Sequence, residues 1–181
     1  MTMTPNTILS FWFNELTPAQ WWKKDTELDS LIKHRFLKLH ESANRCELFK
    51  WRQSAKGRLA EIIILDQFSR NIFRGTPASF ASDALALALA QEAIALGEDK
   101  RLTDIERNFL YMPFMHSESL VVHDVAAILF AQNGLQSNIE FEQKHREIIK
   151  KFGRYPHRNA ILGRLSTKAE IIFLEQPESS F

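Results

Sequence analysis

Apolar residues recur along this chain with the spacing of α-helices. Leu28, Ile32, Phe36 and Leu39 fall on one helical face, because residues three or four apart lie on the same side of a helix. No segment shows the sustained alternation of apolar and polar residues that marks a half-buried strand. The pattern therefore predicts an all-α protein.

Residues that favour helix ends divide this pattern into about eight or nine short helices. Hydroxyl, Asp and Asn residues mark the predicted N-termini, and Gly97, Gly134 and Gly153 mark C-termini. Pro113 is predicted to interrupt the helix that begins at Thr103. The other predicted starts are Thr4-Pro5, Thr17-Pro18, Thr26 with Asp29, Ser82 or Asp83, Ser117 or Ser119, Asn138, and Thr167 with Glu170. Because no linker or shift in composition divides the chain, residues 1–181 are predicted to form a single domain.

The composition is that of an ordinary globular protein. The 181 residues are 45% hydrophobic and 25% charged, with a net charge of +1, so a general attraction to nucleic acid or an anionic membrane is not expected. A single cysteine, Cys46, excludes an internal disulfide and a cysteine-rich metal site. No run reaches the ~18 to 20 apolar residues of a membrane helix, and the N-terminus lacks the basic start of a signal peptide. A cytoplasmic protein is the expectation.

Charged residues interrupt the apolar face of a predicted helix that is apolar nearly all round. The face that begins at Leu59 continues onto Asp66 and Arg70. An unpaired buried charge costs several kcal/mol, so these two groups, one helical turn apart, are expected to pair. Two interpretations stay open: a buried structural ion pair, or an anion clamp that Arg70 forms with Arg74 and that Asp66 orients.

A second polar set, His116-Ser117-Glu118, follows the proline-containing helix. Glu118 lies near a predicted helix N-terminus, where the free amides would stabilise a carboxylate, so one interpretation is a helix cap. The alternative is a general base, with His116 oriented by the neighbouring acid. His157 is a further candidate for hydrogen bonding or proton transfer.

The segment from Lys144 to Arg164 is strongly basic. It holds seven Lys and Arg residues against one Glu, a local charge of +6 (7 − 1). Some of this charge suits a helix C-terminus, and the rest is expected either to be a solvated face or to contact phosphate or RNA. The candidate ligand-binding residues of the whole chain are Asp66, Arg70, Asn71, Arg74, Arg154, Arg158, Asn159 and Arg164.

No resident metal or cofactor is predicted. His116 and His123 are two helical turns apart, ~10 Å along the axis, too far to share one ion. A set of His116 and Glu118 with a distant His145 or His157 stays open. Ser117 lacks the G-x-S-x-G turn of a serine nucleophile.

Four longer motifs contain these candidate residues. They are LDQFSRNIFRGTP at residues 65–77, FASD at 80–83, FLYMPFMHSE at 109–118 and FGRYPHRNAILGR at 152–164. With these motifs the chain resembles the bacterial uncharacterised-domain family 924. The resemblance implies a tetratricopeptide-like α-helical fold and no established activity. The chain departs from the family pattern at His123, where glutamine is usual, and at Lys168-Ala169, where Pro-Glu is typical.

The favoured functional hypothesis is a cleft, lined by arginine and histidine, that binds a small anionic molecule or a peptide carboxylate. The second hypothesis is a metal-independent acid–base enzyme in which His116, Glu118 and His157 are the catalytic candidates. A peptide-binding adaptor with a concave groove and an RNA-binding protein that uses residues 144–164 are the remaining alternatives.

Overall fold

The described part of the chain is built from helices joined by short connections. The computed structural model describes residues 3–177 and 179, and these residues contain no strand. The α-helices are α1 (Pro5–Ser10), α2 (Pro18–Trp22), α3 (Thr26–Asn44), α4 (Ala55–Ile63), α5 (Ser69–Ile72), α6 (Asp83–Ala95), α7 (Asp104–Met115), α8 (Leu120–Asn133), α9 (Gln136–Phe152) and α10 (Lys168–Leu174). No helix in these residues has the length and apolar composition needed to cross a bilayer.

Shorter helical stretches connect these elements. A π-helix at Phe11–Glu15 continues α1, and another at Ile64–Phe68 joins α4 to α5 without a break. The 3₁₀ turns are Phe49–Gln53, Pro77–Ser79, Glu98–Arg101 and Pro156–Arg158. With α4 and α5 counted as one rod, the described residues form nine helices. The predicted all-α class and number of helices are confirmed.

Most of the predicted helix ends are confirmed. Thr4, Thr103 and Thr167 begin α1, α7 and α10, and each exchanges hydrogen bonds with the third helical residue in a capping box. Gly134 and Gly153 end α8 and α9 with left-handed backbone angles, φ 76° and 69°, which glycine adopts without a steric cost.

The predicted capping pair of Thr26 and Asp29 is wrong. Asp25 caps α3 instead, and its Oδ1 accepts hydrogen bonds from the amides of the second and third helical residues at 2.9 and 3.1 Å. Asp29 turns away from the helix end because it binds the guanidinium of Arg74. A long-range ion pair has therefore replaced the local interaction that the sequence pattern indicated.

The predicted interruption at Pro113 is also wrong. Helix α7 continues through this proline to Met115. Every side chain from Asn108 to Met115 is buried, so tertiary packing outweighs the cost of the missing amide hydrogen. Helix α9 begins at Gln136, two residues before the predicted start at Asn138.

The rod formed by residues 55–72 lies in the centre of the molecule. Every side chain from Leu59 to Phe68 is at most 6% exposed, which confirms the predicted buried central helix. At its end the ring of Phe68 packs against those of Phe11 and Phe36, with centroids 5.9 and 5.0 Å away. The rod contacts α1, α3, α6 and α7, so four helices surround it.

This central position differs from a simple linear stack of helix pairs. Helices α7, α8 and α9 do pack one after another, as helices do in an α-solenoid, where each repeat contacts only its neighbours. The rod, in contrast, contacts helices that are distant in the sequence. The tetratricopeptide-like arrangement therefore stays a prediction.

Replacement of Gly57 by alanine should destabilise the fold. A Cβ atom at Gly57 would lie 1.9 Å from the carbonyl oxygen of Trp51, so the first turn of α4 and the preceding 3₁₀ turn would have to separate. We expect Gly57→Ala to lower the free energy of unfolding by about 1 to 3 kcal/mol, although alanine favours helix by ~1 kcal/mol. Urea unfolding measures this, with the exposed position Gln91→Ala as control; a Gly57→Ala variant as stable as the control would contradict the close approach.

Candidate functional site

The carboxylate of Asp66 is fully buried and is held by three side chains. Its Oδ1 lies 2.7 Å from Nδ1 of His116 and 3.1 Å from Nη1 of Arg70. Its Oδ2 accepts a hydrogen bond of 2.5 Å from the amide of Gln67. Burial alone would raise the pKa of Asp66, but the charge of Arg70 and the bond to His116 hold it below its usual range. Asp66 is therefore ionised, and the predicted pair with Arg70 is present.

A second carboxylate, Asp83 at the start of α6, joins this pair to the loop after α9. Arg70 donates to both oxygens of Asp83, at 3.0 and 3.1 Å. Arg158 donates to one of the same oxygens at 3.2 Å and to the backbone carbonyl of His116 at 3.0 Å. Asp66, Arg70, Asp83, His116 and Arg158 thus form one connected group, which we call the central ion cluster.

The guanidinium of Arg158 lies between two aromatic rings. Its central carbon is 4.5 Å from the ring centroid of Phe80 and 4.8 Å from that of Tyr155, distances at which a cation is attracted to an aromatic face. Burial, followed by repulsion from Arg70, lowers the pKa of Arg158. Its Nε is buried and has no hydrogen-bond partner among the described residues.

Glu118 binds the loop that precedes α10 and does not cap its own helix. Its two oxygens accept from Nη1 and Nη2 of Arg164 at 2.6 and 2.8 Å, and Oε1 also accepts from the amide of Tyr155 at 2.7 Å. Burial would raise the pKa of Glu118, but these bonds lower it. The capping interpretation is therefore wrong. Asn159 supports the pair by accepting from Nε of Arg164 at 2.9 Å.

The remaining candidate arginines lie on separate carboxylates. Arg74 donates to both oxygens of Asp29 at 2.5 and 2.8 Å, and Asn71 donates to the same carboxylate at 2.8 Å. Arg154 donates to both oxygens of Glu170 at 2.7 and 2.9 Å. The structure therefore does not bring Arg70 and Arg74 together as one anion clamp. Arg70 binds Asp66 and Asp83, whereas Arg74 binds Asp29.

These pairs also neutralise much of the basic segment 144–164. Arg154, Arg158 and Arg164 are paired as described above, and Arg146 binds Asp124 at 2.5 Å. The sequence identified the basic residues but missed most of their partners, because those acids lie far away along the chain. The sequence pattern predicts only a capping role for Asp83, although the FASD motif contains it.

The imidazole of His116 combines a fixed nitrogen with an open one. Because ionised Asp66 can only accept a hydrogen bond, Nδ1 of His116 carries the proton. Burial, together with repulsion from Arg70, lowers the pKa of His116, so the ring is neutral near pH 7 and Nε2 presents a lone pair. No described residue hydrogen bonds to this Nε2, and the side chain is 12% exposed.

Two other histidines lie close to residues of the cluster. His157 lies beside Tyr155, with ring centroids 5.5 Å apart, and burial with repulsion from Arg158 lowers its pKa to about 4. His123 is fully buried behind the cluster, where Nδ1 lies 2.7 Å from Glu142 and Nε2 lies 2.9 Å from the carbonyl of Ser117. His123 thus occupies an internal position, and burial raises the pKa of its partner Glu142. Sequence reasoning missed this partner.

The described residues offer no arrangement suited to a metal ion. Within residues 3–177 and 179, no three His, Cys, Asp or Glu side chains are grouped closely enough to hold one. The set that the sequence left open, His116 and Glu118 with His145 or His157, is not assembled there.

Comparison with known proteins places the chain in a family. The family model named "Bacterial protein of unknown function (DUF924)" matches residues 8–178. The chain belongs to this family. A solved structure of a protein of unknown function, ATU0120 from Agrobacterium tumefaciens, is 38% identical, with a TM-score of 0.90 over 94% of this chain and 96% of that chain. The match to DUF924 and the similar solved structure confirm the predicted family and the helical fold. No curated protein matches the chain, so these comparisons assign no activity.

The buried histidines of this DUF924 chain predict a loss of stability in mild acid. Burial lowers the pKa of His145 to about 3 and that of His157 to about 4, and also lowers those of His40 and His116. The unfolded chain, with histidine pKa values near ~6.5, therefore binds more protons than the folded chain between about pH 6.5 and 4. The free energy of unfolding should fall by about 1 kcal/mol or more per pH unit as the pH drops through this window.

Urea unfolding at pH 7, 6 and 5 measures this dependence. The raised pKa of Glu142 acts in the opposite direction, but it belongs to one group against four. His157→Gln should flatten the profile, whereas His34→Gln at an exposed position should leave it unchanged. A stability that is constant or rises towards pH 5 would contradict the assignment of neutral buried histidines.

Proposed function

We propose that the chain binds a small polar molecule at the exposed edge of the central ion cluster and that His116 accepts a proton from it. One observation carries the proposal. Nδ1 of His116 is fixed by the buried carboxylate of Asp66, while Nε2 has no bond to any described residue. An acid that orients an imidazole and leaves its other nitrogen open is the arrangement of a general base in many enzymes.

Electrostatics supports this role for His116. The lowered pKa of the ring keeps it unprotonated near neutral pH, so it is available to accept a proton. When Nε2 becomes protonated, the adjacent carboxylate of Asp66 stabilises the imidazolium. The environment therefore favours the free base at rest and offsets the charge that develops during transfer.

The backbone beneath Asp66 also supports a functional role. Ile64–Phe68 is π-helical within an otherwise α-helical rod, and such short π segments occur frequently at functional sites. This segment places Asp66 and Gln67 next to each other with both side chains turned into the interior. The π geometry is less favourable than that of a regular α-helix, so its presence at Asp66 supports a functional role for this segment.

The substrate class follows from what surrounds His116. Arg70, Asp83 and Arg158 present hydrogen-bonding groups, and their side chains are 20%, 17% and 8% exposed. Two acids and two arginines balance in charge, so the cluster suits a polar molecule with an acidic O–H, N–H or C–H group better than a highly charged anion. We therefore infer that His116 abstracts a proton from the bound molecule or activates a bound hydroxyl or water.

A second candidate function is the binding of a ligand carboxylate by Arg70 and Arg158. The unpartnered Nε of Arg158 favours it, because a carboxylate that exchanged with Asp83 could bind a guanidinium through two hydrogen bonds. The adaptor and RNA hypotheses have less support, since acids of the same chain pair with Arg146 and Arg154.

Thermal unfolding with a panel of short hydroxy acids, keto acids and sugar phosphates tests the proposal. A compound at ~100 times its dissociation constant stabilises the protein by about 2.7 kcal/mol, which corresponds to roughly 5 to 10 °C in a domain of this size. His116→Gln should abolish the shift for a proton-donating ligand, and His34→Gln should retain it. Arg158→Met should abolish the shift for a ligand carboxylate. If no compound shifts the midpoint, or if His116→Gln and His34→Gln respond alike, the proposed site is refuted.

A further inference from the structure

An aromatic groove lies between α2, the first half of α7 and the start of α9. Its lining includes Trp21 and Trp22 of α2, Asn108 and Phe109 of α7, and Phe141 of α9. The groove has a volume of about 280 Å³, slightly below the ~300 to 1,000 Å³ of drug-sized ligand sites. It therefore has room for one or two fused rings.

The lining of this groove contains a polar group that lacks a partner. Asn108 is only 3% exposed, and its Oδ1 is buried and has no hydrogen-bond partner among the described residues. A buried amide oxygen without a donor destabilises a fold, whereas a leucine of similar size would not. The position of Asn108 is therefore explained best by a donor that comes from outside the chain.

The walls present flat aromatic faces to solvent. Trp22 is 56% exposed and stacks on Phe109 at 5.9 Å with an angle of 7° between the rings. Phe141, which also lines the groove, is 48% exposed. Large aromatic surface of this kind gains free energy when another ring stacks on it.

We propose that this groove binds a small planar heteroaromatic molecule that donates an N–H or O–H hydrogen bond to Oδ1 of Asn108. An apolar cleft with one convergent polar group has the composition of small-molecule sites. Oδ1 is inaccessible to solvent in this rotamer, so binding requires the carboxamide to rotate about its terminal torsion, which is soft, and bring Oδ1 to the groove. Stacking supplies affinity, and the single acceptor selects ligands that carry a donor.

This site is separate from the central ion cluster. Asn108 and His116 lie eight residues apart along and just beyond α7, which corresponds to ~12 Å along the helix axis. The groove thus neither depends on the proposed role of His116 nor shares a side chain with it. A result that refutes the proposed role of His116 therefore leaves the test of the groove unaffected, and the reverse also holds.

Calorimetric titration with indole and benzofuran tests the proposal directly. The two probes have the same shape, but benzofuran carries an oxygen where indole carries its N–H donor. We expect the wild-type protein to bind indole about tenfold more tightly, the effect of one net hydrogen bond to a buried acceptor. Asn108→Leu, which keeps the side-chain volume, should remove this preference.

A matched pair of surface variants guards against a general change in folding. Phe141→Ser should weaken both probes, whereas Phe49→Ser, at a 59% exposed position outside the groove, should weaken neither. Three results would overturn the proposal. They are equal binding of indole and benzofuran to the wild type, a preference for indole that survives in Asn108→Leu, and no binding of either probe to the wild type.

Discussion

The burial of the Asp66 carboxylate is the constraint on which the rest of the structure depends. An ionised carboxylate without water is strongly unfavourable unless charge and hydrogen bonds surround it. Arg70, Gln67 and His116 provide these interactions. Because His116 follows α7, while Asp83 begins α6 and binds Arg70 in turn, the carboxylate fixes how the central rod meets two other helices.

The same interactions extend to the C-terminal third of the chain. Arg158 reaches Asp83 and the backbone of His116, and Glu118 holds Arg164 and the amide of Tyr155. The loop between α9 and α10 is thus attached through ion pairs as well as through the apolar packing of Tyr155. One network therefore serves two purposes, since it positions the loop and leaves one nitrogen of His116 open at its edge.

The sequence predicted what local chemistry determines. Capping boxes at Thr103 and Thr167, the buried rod and the pairing of Asp66 with Arg70 all follow from spacings of three or four residues. It did not predict interactions between distant segments. In the sequence Asp29 resembles a capping acid, but in the structure it binds Arg74, which lies 45 residues away. Pro113 resembles a helix stop in the sequence, but α7 continues through it because the surrounding side chains are packed on every side. The convergence of Asp83, His116 and Arg158 depends on tertiary structure and has no local signal.

A double-mutant cycle on Asp66 and Arg70 tests the central claim most directly. The free energy of unfolding in urea would be measured for the wild type, Asp66→Leu, Arg70→Met and the double variant. Loss of one member leaves the other with a buried charge that Asp83 or His116 offsets only in part. Asp66→Leu alone should therefore cost about 3 to 5 kcal/mol, and the double variant should cost clearly less than the sum of the single losses. Additive losses would show that the two charges are not coupled and that the buried carboxylate does not organise the fold.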